Sequence, residues 1–341
     1  MQNMNQISLD MYQTLGMAVA VLFLGAFLKK RIKFLETFCI PSPVVGGLIF
    51  AIVSCILYAT GILEISFDET LKNVCMVIFF TSVGFQANLK VLKSGGLSLV
   101  VFLVCVIVLI ISQNLVSVGL AKLVGVSPLI GLSTGSIPMV GGHGTAGAFG
   151  PVLEDLGISG ASTLCTAAAT FGLVAGSLMG GPIGRRLILK HDLLKTAVME
   201  DDATLVEDEK KHKRSVSMYA PATYQIAIAM GLGTIVSWAL SKTGILALPL
   251  LILLAGQVAL MFVFTYFVLF NVMGRNYDAA VLAAGTCGFG MGATPNAMAN
   301  MQALTEKYVP SVKAYLLVPI IGSMFADFLN SLTITFFINL F

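Results

Sequence analysis

Two glycine-dense stretches hold the residue types best suited to binding a solute. Residues 131–151 read GLSTGSIPMVGGHGTAGAFGP and residues 283–302 read AAGTCGFGMGATPNAMANMQ, each set among long apolar runs. Glycine costs roughly 1 kcal/mol against alanine inside a helix and proline about 3. Gly285, Gly288, Gly290, Gly292 and Pro295 therefore predict backbone that leaves the helical state. Broken backbone at membrane depth offers its N–H and C=O groups to a solute, and it is tolerated where it is buried in protein or lines a wet cavity. Two side chains add chemistry of their own. Asp327, with Ser323 and Asn330 about one helical turn to either side, is an ionisable residue inside an apolar segment, which reads as functional unless it merely satisfies a neighbouring helix. His143 is the single histidine of the apolar portion. Its unperturbed pKa of about 6.5 suits carboxylate binding or proton sensing, and a purely structural hydrogen bond is the equal alternative.

The elements that position these residues are membrane spans. Hydrophobic residues make up 57% of the 341 and charged residues only 11%, with a mean hydropathy of +0.92, whereas a soluble globule carries about a quarter charged. Spanning candidates of roughly twenty residues are 11–28, 43–60, 71–87, 97–123, 162–184, 223–240, 248–270 and 312–340, about eight in all. The net charge of +3 comes from basic residues clustered at segment ends. They are topological signals and give no nucleic-acid stripe. The six cysteines form no metal-ligand spacing and read as buried single thiols. No secretory signal is expected, because the cluster Lys29, Lys30, Arg31 and Lys33 follows the first apolar run. The chain is thus expected to be an all-α polytopic membrane protein.

Lys and Arg placement sets the orientation. None precedes the first span, four follow it, and eight crowd the segment after the fifth, from Arg185 to Arg214. Both termini are expected outside and the central polar loop in the cytoplasm. The first glycine-rich stretch then enters the membrane from outside and the second from the cytoplasm. Paired devices of opposite orientation are the mark of inverted-topology repeats, with the solute site between them near the midplane. The expected organisation is an N-terminal repeat over 1–185 with five spans and a re-entrant loop at 131–155, a cytoplasmic linker over 186–221, and a shortened C-terminal repeat over 222–341 with three spans and a re-entrant loop at 283–306. The second half lacks counterparts of the spans carrying PSPVVGG (41–47) and FFTSVGFQANLKVLKSGG (79–96). Loss of a pair of spans leaves the orientation intact. Asn276, Tyr277 and Asp278, ahead of the second stretch, read as a helix cap.

These residues resemble the sodium/glutamate symporter family. The resemblance rests on PSPVVGGL at 41–48, FFTSVGFQANL at 79–89, GSIPMVGGHGTAGAF at 135–149, FGLVAGSLMGGPIGR at 171–185 and NYDAAVLAAGTCGFGMGATPNAMANMQALTE at 276–306. It implies an inverted-repeat secondary transporter of the bacterial inner membrane, a homodimer in the lipid bilayer that carries L-glutamate with sodium by alternating access. The coupling ion aside, it implies no cofactor and no nucleic-acid partner. The departures are two spans absent near 241–249, Thr286 in place of an expected His, and Pro138 and Val140 at positions of small hydroxyls.

A net-anionic dicarboxylate needs N–H groups at helix N-termini and directional side-chain bonds. The residues expected around L-glutamate are Ser136, Gly141, Gly142, His143, Gly144 and Thr145 from one stretch, with Gly290, Gly292, Ala293, Thr294 and Asn296 from the other. Sodium needs oxygens, for which Asp327, Asn330 and Ser323 are the candidates. The alternatives are a truncated carrier that inserts without transporting, a carrier of another small carboxylate, and a channel built on re-entrant loops. An intramembrane enzyme is disfavoured, since Ser136 and His143 share a loop but have no orienting acid nearby. Gly292→Leu is expected to abolish glutamate binding by blocking backbone approach, and normal affinity in that variant would place the loop away from the solute.

Overall fold

Helix α1 (Met11–Arg31) starts where the sequence supplies a complete cap. The Asp10 carboxylate accepts from the amides of Tyr12 at 2.9 Å and Gln13 at 2.8 Å, while Gln13 Oε1 accepts from the Asp10 amide at 3.1 Å. This reciprocal box satisfies amides that a helix start otherwise leaves without partners. The computed structural model describes residues 5–38, 40, 42–68, 70–71, 74, 78, 81, 89–194 and 247–341. The expected spans 71–87 and 223–240 lie largely or wholly outside the described residues, as do the 186–221 linker beyond residue 194 and most of the motif at 79–89. Contacts divide the described residues into two compact units, one from residues 5–81 and one from 89–194 with 247–341.

In the first unit, α1 is followed by α2 (Lys33–Thr37) and α3 (Ser42–Ala59). Helices α1 and α3 cross with backbones almost touching. A Cβ on Gly25 would lie 2.1 Å from the Ser42 carbonyl, and one on Gly46 would lie 2.1 Å from the Val21 carbonyl. The second glycine belongs to the PSPVVGG motif, whose role here is close helix packing. The hairpin returns the chain beside its start, so that β1 (Asn5–Leu9) pairs in parallel with β2 (Leu63–Phe67) in the register Asn5↔Leu63 to Leu9↔Phe67. The expected all-α fold therefore carries one short sheet. Its signal is the period-two alternation of Leu63, Ile65 and Phe67 with Glu64 and Ser66.

The second unit begins with α4 (Leu89–Val124), which is broken at Gly96, where φ is +49°. The run Gly96–Val124 is long and apolar enough to cross a membrane. The first glycine-rich stretch then folds as α5 (Pro128–Leu132), α6 (Ser136–Met139) and α7 (Gly142–Asp155). It leads into α8 (Ala161–Lys190), a second candidate span. Beyond the central segment, α9 (Ala247–Val263) continues through a π-helical turn at Phe264–Leu269 into α10 (Phe270–Val272), and Pro249–Val272 is a further candidate span. The second stretch folds as α11 (Tyr277–Gly290) and α12 (Thr294–Thr305). The last helices are α13 (Val312–Ile320), a π-helical turn at Ile321–Ala326, and α14 (Asp327–Leu340). The bend of 43° between Val312–Ser323 and Asp327–Leu340 follows from Pro319, which lacks an amide hydrogen, and from the π-turn behind it. Among the described residues, four helices have the length and apolarity of a span, or five with this bent pair.

The prediction of broken backbone at Gly285, Gly288 and Gly290 is corrected by the structure. All three lie inside α11, and the break is confined to Met291–Ala293, with Pro295 tolerated in the first turn of α12. These glycines serve packing. A Cβ on Gly288 would lie 2.4 Å from the Ala297 backbone, so the two helices of the hairpin approach at van der Waals distance only without it. The same device recurs every fourth residue along α8. Cβ atoms on Gly172, Gly176 and Gly180 would meet Met291 O at 2.3 Å, Cys287 O at 2.5 Å and Asn300 Nδ2 at 2.2 Å.

The cysteines described, Cys105, Cys165 and Cys287, are buried free thiols, as expected. Gly176→Val is expected to lower the melting temperature of the detergent-solubilised protein by the equivalent of at least about 2 kcal/mol, because overpacking against backbone has no flexible neighbour to absorb it. Gly119→Ala, with open space around the position, is the control and is expected to be neutral or stabilising.

Candidate functional site

The two glycine-rich stretches meet at their breaks. Gly142 has φ of +59°, a left-handed conformation, and a Cβ there would lie 2.6 Å from the Gly292 carbonyl oxygen. Helix α8 forms the wall behind them, since a Cβ on Gly172 would meet the Met291 carbonyl and a Cβ on Gly292 would lie 3.1 Å from Leu173 Cα. Helices α7 and α12 both start at this junction, and neither has a side-chain cap. Each helix start leaves unbonded amides and about half a positive charge. Two uncapped N-termini therefore lie at the point where the first stretch touches the second.

The expected solute residues divide into those at the junction and those already committed elsewhere. Gly141, His143, Thr145 and Ala293 are half-buried, and Gly144 is exposed. His143 Nε2 lies 3.0 Å from Thr170 Oγ1, whose own hydroxyl donates to the Thr166 carbonyl at 3.0 Å. The structural role of His143 is thus present, with one face of the ring tied to α8. Gly142, Gly290, Gly292 and Thr294 are buried, and a Cβ on Gly322 would lie 2.7 Å from Thr294 Oγ1.

Asn296 is fully occupied. Its Oδ1 accepts a short hydrogen bond from Ser177, and its Nδ2 donates to Leu173 O at 3.1 Å and Gly288 O at 3.4 Å. Its carboxamide ties α12 to α8 and α11, leaving no donor for a solute. One turn on, Asn300 Nδ2 donates to Gly176 O at 2.9 Å. Asn276 Oδ1 accepts from the Ala279 amide at 2.9 Å, the cap expected from sequence.

The expected sodium residues are brought to different surroundings. Asn330 is buried on α14 and its Nδ2 donates to the Ser136 carbonyl at 3.0 Å, which joins a candidate ion residue to a candidate solute residue. Ser323 donates its hydroxyl to the Pro319 carbonyl. Asp327 is exposed on α14.

Residues that sequence reasoning passed over complete the centre. Gln113 and Asn114 on α4, and Gln257 on α9, are fully buried amides. Gln113 Nε2 donates to the Gly290 carbonyl at 2.6 Å, Gln257 Nε2 donates to the Gln113 carbonyl at 2.9 Å, and Asn114 Oδ1 accepts from the Ser136 amide at 3.0 Å. Both stretches are therefore held by neighbouring amides of α4, Gln113 at Gly290 and Asn114 at Ser136, and Gln257 of α9 bonds Gln113 in turn. Four oxygens in this region, Gln113 Oε1, Gln257 Oε1, Ser136 Oγ and Asn330 Oδ1, together with Asn114 Nδ2, are buried without a hydrogen-bond partner among the described residues. The sequence signal was available, because these amides interrupt otherwise apolar spans.

The family model described as Sodium/glutamate symporter matches residues 7–245 and 208–310. The chain belongs to the sodium/glutamate symporter family. It is 34% identical to the sodium/glutamate symporter of Escherichia coli K12 over 397 positions, covering 97% of this chain and 98% of that protein. The sodium/glutamate symporter of Haemophilus influenzae is 35% identical over 386 positions, covering 94% of this chain and 95% of that one. No solved structure matches the chain. In the first of these alignments the 397 positions exceed the 341 residues present here, so part of the relative has no counterpart. The family is one of transporters and not of enzymes.

Asn296→Asp is expected to destabilise the purified symporter by about 1–3 kcal/mol, because it replaces a donor by an acceptor facing two buried carbonyl oxygens. Thermal unfolding, independent of transport, checks it, and an unchanged melting temperature would deny Asn296 its bridging role.

Proposed function

We propose that this chain is a sodium-coupled symporter of L-glutamate. The observation that carries the reading is the near full-length similarity to the curated relatives, each named a sodium/glutamate symporter. The local geometry agrees with it. L-Glutamate carries two carboxylates, and two uncapped helix N-termini, α7 and α12, start where Gly142 meets Gly292. The amides of residues 142–144 and of Thr294 are the carboxylate donors in this reading, and Thr145 is the adjacent hydroxyl. Ser136, Gly141, His143, Gly290, Gly292, Ala293 and Asn296 shape the junction. Asn330, with an unpartnered buried Oδ1 beside Ser136, is the best supported of the three sodium residues. Ser323 and Asp327 complete the expected set.

The mechanism is alternating access by two inverted repeats whose re-entrant loops meet at the midplane, in a homodimer of the bacterial inner membrane. Both termini lie outside and the central loop lies in the cytoplasm. A second reading is favoured by one observation, the relative's positions that have no counterpart here. If these correspond to two spans of the second half, the chain inserts and binds but does not complete the cycle.

The purified chain in proteoliposomes is expected to show saturable glutamate counterflow that requires sodium, and ohmic current instead would make it a channel. Restoring two spans near residues 241–249 separates the readings: equal rates favour the chain as it stands, and transport only after restoration favours the truncated carrier. Asp327→Asn is expected to weaken sodium activation more than glutamate selectivity. Unchanged sodium activation removes Asp327 from the ion site.

A further inference from the structure

Two buried glutamines, one bonded to the end of α11 and one bonded to the first, keep side-chain oxygens without donors. Gln113 and Gln257 are each fully buried, on the spans α4 and α9. Their carboxamide orientations are set by their nitrogens, because each Nε2 donates to a backbone carbonyl, Gly290 O at 2.6 Å and Gln113 O at 2.9 Å. A flipped carboxamide would set oxygen against oxygen in either case. The oxygens Gln113 Oε1 and Gln257 Oε1 are consequently left as pure acceptors with no donor among the described residues. Gly290 is the last residue of a 14-residue helix, and the C-terminal end of a helix carries about half a negative charge. Gln113 is bonded to the last residue of this helix and Gln257 is bonded to Gln113, so two unpartnered amide oxygens on neighbouring residues, the first of them next to a negative helix end, attract a cation.

Other unpartnered polar atoms make weaker cation sites. The trio around Ser136 includes Asn114 Nδ2, an unpartnered donor, which a cation would repel. Asn300 Oδ1 is also unpartnered, but the residues its carboxamide bonds, Gly176 and Ala284, carry no side-chain oxygen to pair with it.

From this arrangement we infer a monovalent-cation site at the C-terminal end of α11, in which Gln113 Oε1 and Gln257 Oε1 are side-chain ligands. It rests on the reading of the chain as a sodium-coupled carrier. It is distinct from Asp327, Asn330 and Ser323. Neutral amide oxygens suit a weakly held monovalent ion that must be released, whereas a carboxylate cage would favour a divalent one. The site has a structural consequence. A cation bound to Gln113 and Gln257 pins α4 and α9 to the end of α11, immediately before the break at Met291–Ala293 where α12 begins. Ion occupancy thereby fixes the start of α12 before a carboxylate arrives, which supplies a route for coupling.

The test is the melting temperature of the purified full-length protein in detergent, without glutamate, titrated with sodium chloride against choline chloride at constant ionic strength. The wild-type protein is expected to be stabilised by sodium and not by choline. Gln257→Leu and Gln113→Leu are each expected to raise the half-stabilising sodium concentration about ten-fold, the effect of losing one ion ligand worth roughly 1.4 kcal/mol. Gln257→Glu adds charge but sets an oxygen against the Gln113 carbonyl, so it is expected to lower the sodium-free melting temperature and, separately, to lower that concentration. A wild-type protein indifferent to sodium overturns the site, as does a Gln257→Glu midpoint equal to wild type, which would leave a buried water on the two oxygens. Sodium-dependent glutamate counterflow by the wild-type protein with unchanged midpoints in these variants rejects this site alone. Absence of that counterflow, with a sodium-specific shift that the glutamines control, rejects the transport reading and leaves the site.

Discussion

Direct contact between the backbones of α8 and α11 is the constraint on which the second unit depends. Glycines at four-residue spacing on α8 remove the side chains that would hold the helices at ordinary separation, so carbonyls of Ala284, Cys287 and Met291 lie against its surface. In a bilayer, apolar surface gains little by leaving lipid, and helices associate through close packing and interhelical hydrogen bonds instead. Both are present here. The glycines permit the approach, and Asn296 and Asn300 of α12 bond carbonyls of both helices.

That contact also positions the breaks. Met291 to Ala293 can leave the helical state only because α8, the Gly288–Ala297 contact and the Gln113 bond to Gly290 fix the backbone on either side. The junction with Gly142 follows, since a side chain at that position would collide with the Gly292 carbonyl. Two helix N-termini and one helix C-terminus thus gather in a small volume. On the proposed function, positive ends beside a negative end let an anion and a cation bind as neighbours, with little charge of opposite sign required from side chains. This accounts for a transporter core that has glycines and amides where a soluble binding protein would place arginine and carboxylates.

Much of this was legible in the chain. Candidate spans among the described residues coincide with apolar runs of the sequence, 97–123 and 162–184 falling within α4 and α8. The family was legible from five motifs. The roles of individual residues were harder to read. Gly285, Gly288 and Gly290 carry the composition of a broken segment, yet they sit inside a helix, because a helix packed tightly on two neighbours recovers the propensity it loses. Asn296 has the chemistry of a solute ligand but is consumed by bonds to two other helices. Gln113 and Gln257 were passed over because a lone amide in an apolar run has no periodic partner in sequence, and its partner here is 177 residues away in one case and 144 in the other.

The sequence by itself determined the class of the protein, its membrane environment, the two glycine-rich devices and the family. Those depend on composition, run length and local spacing, which a linear reading contains. Only the tertiary structure decided that the two breaks touch, that glycine on α8 is matched to carbonyls on α11, and which buried amides keep an oxygen free. The reason is physical: whether a polar group is spent or available depends on the partner that packing brings to it, and in this fold those partners come from both sides of the central loop.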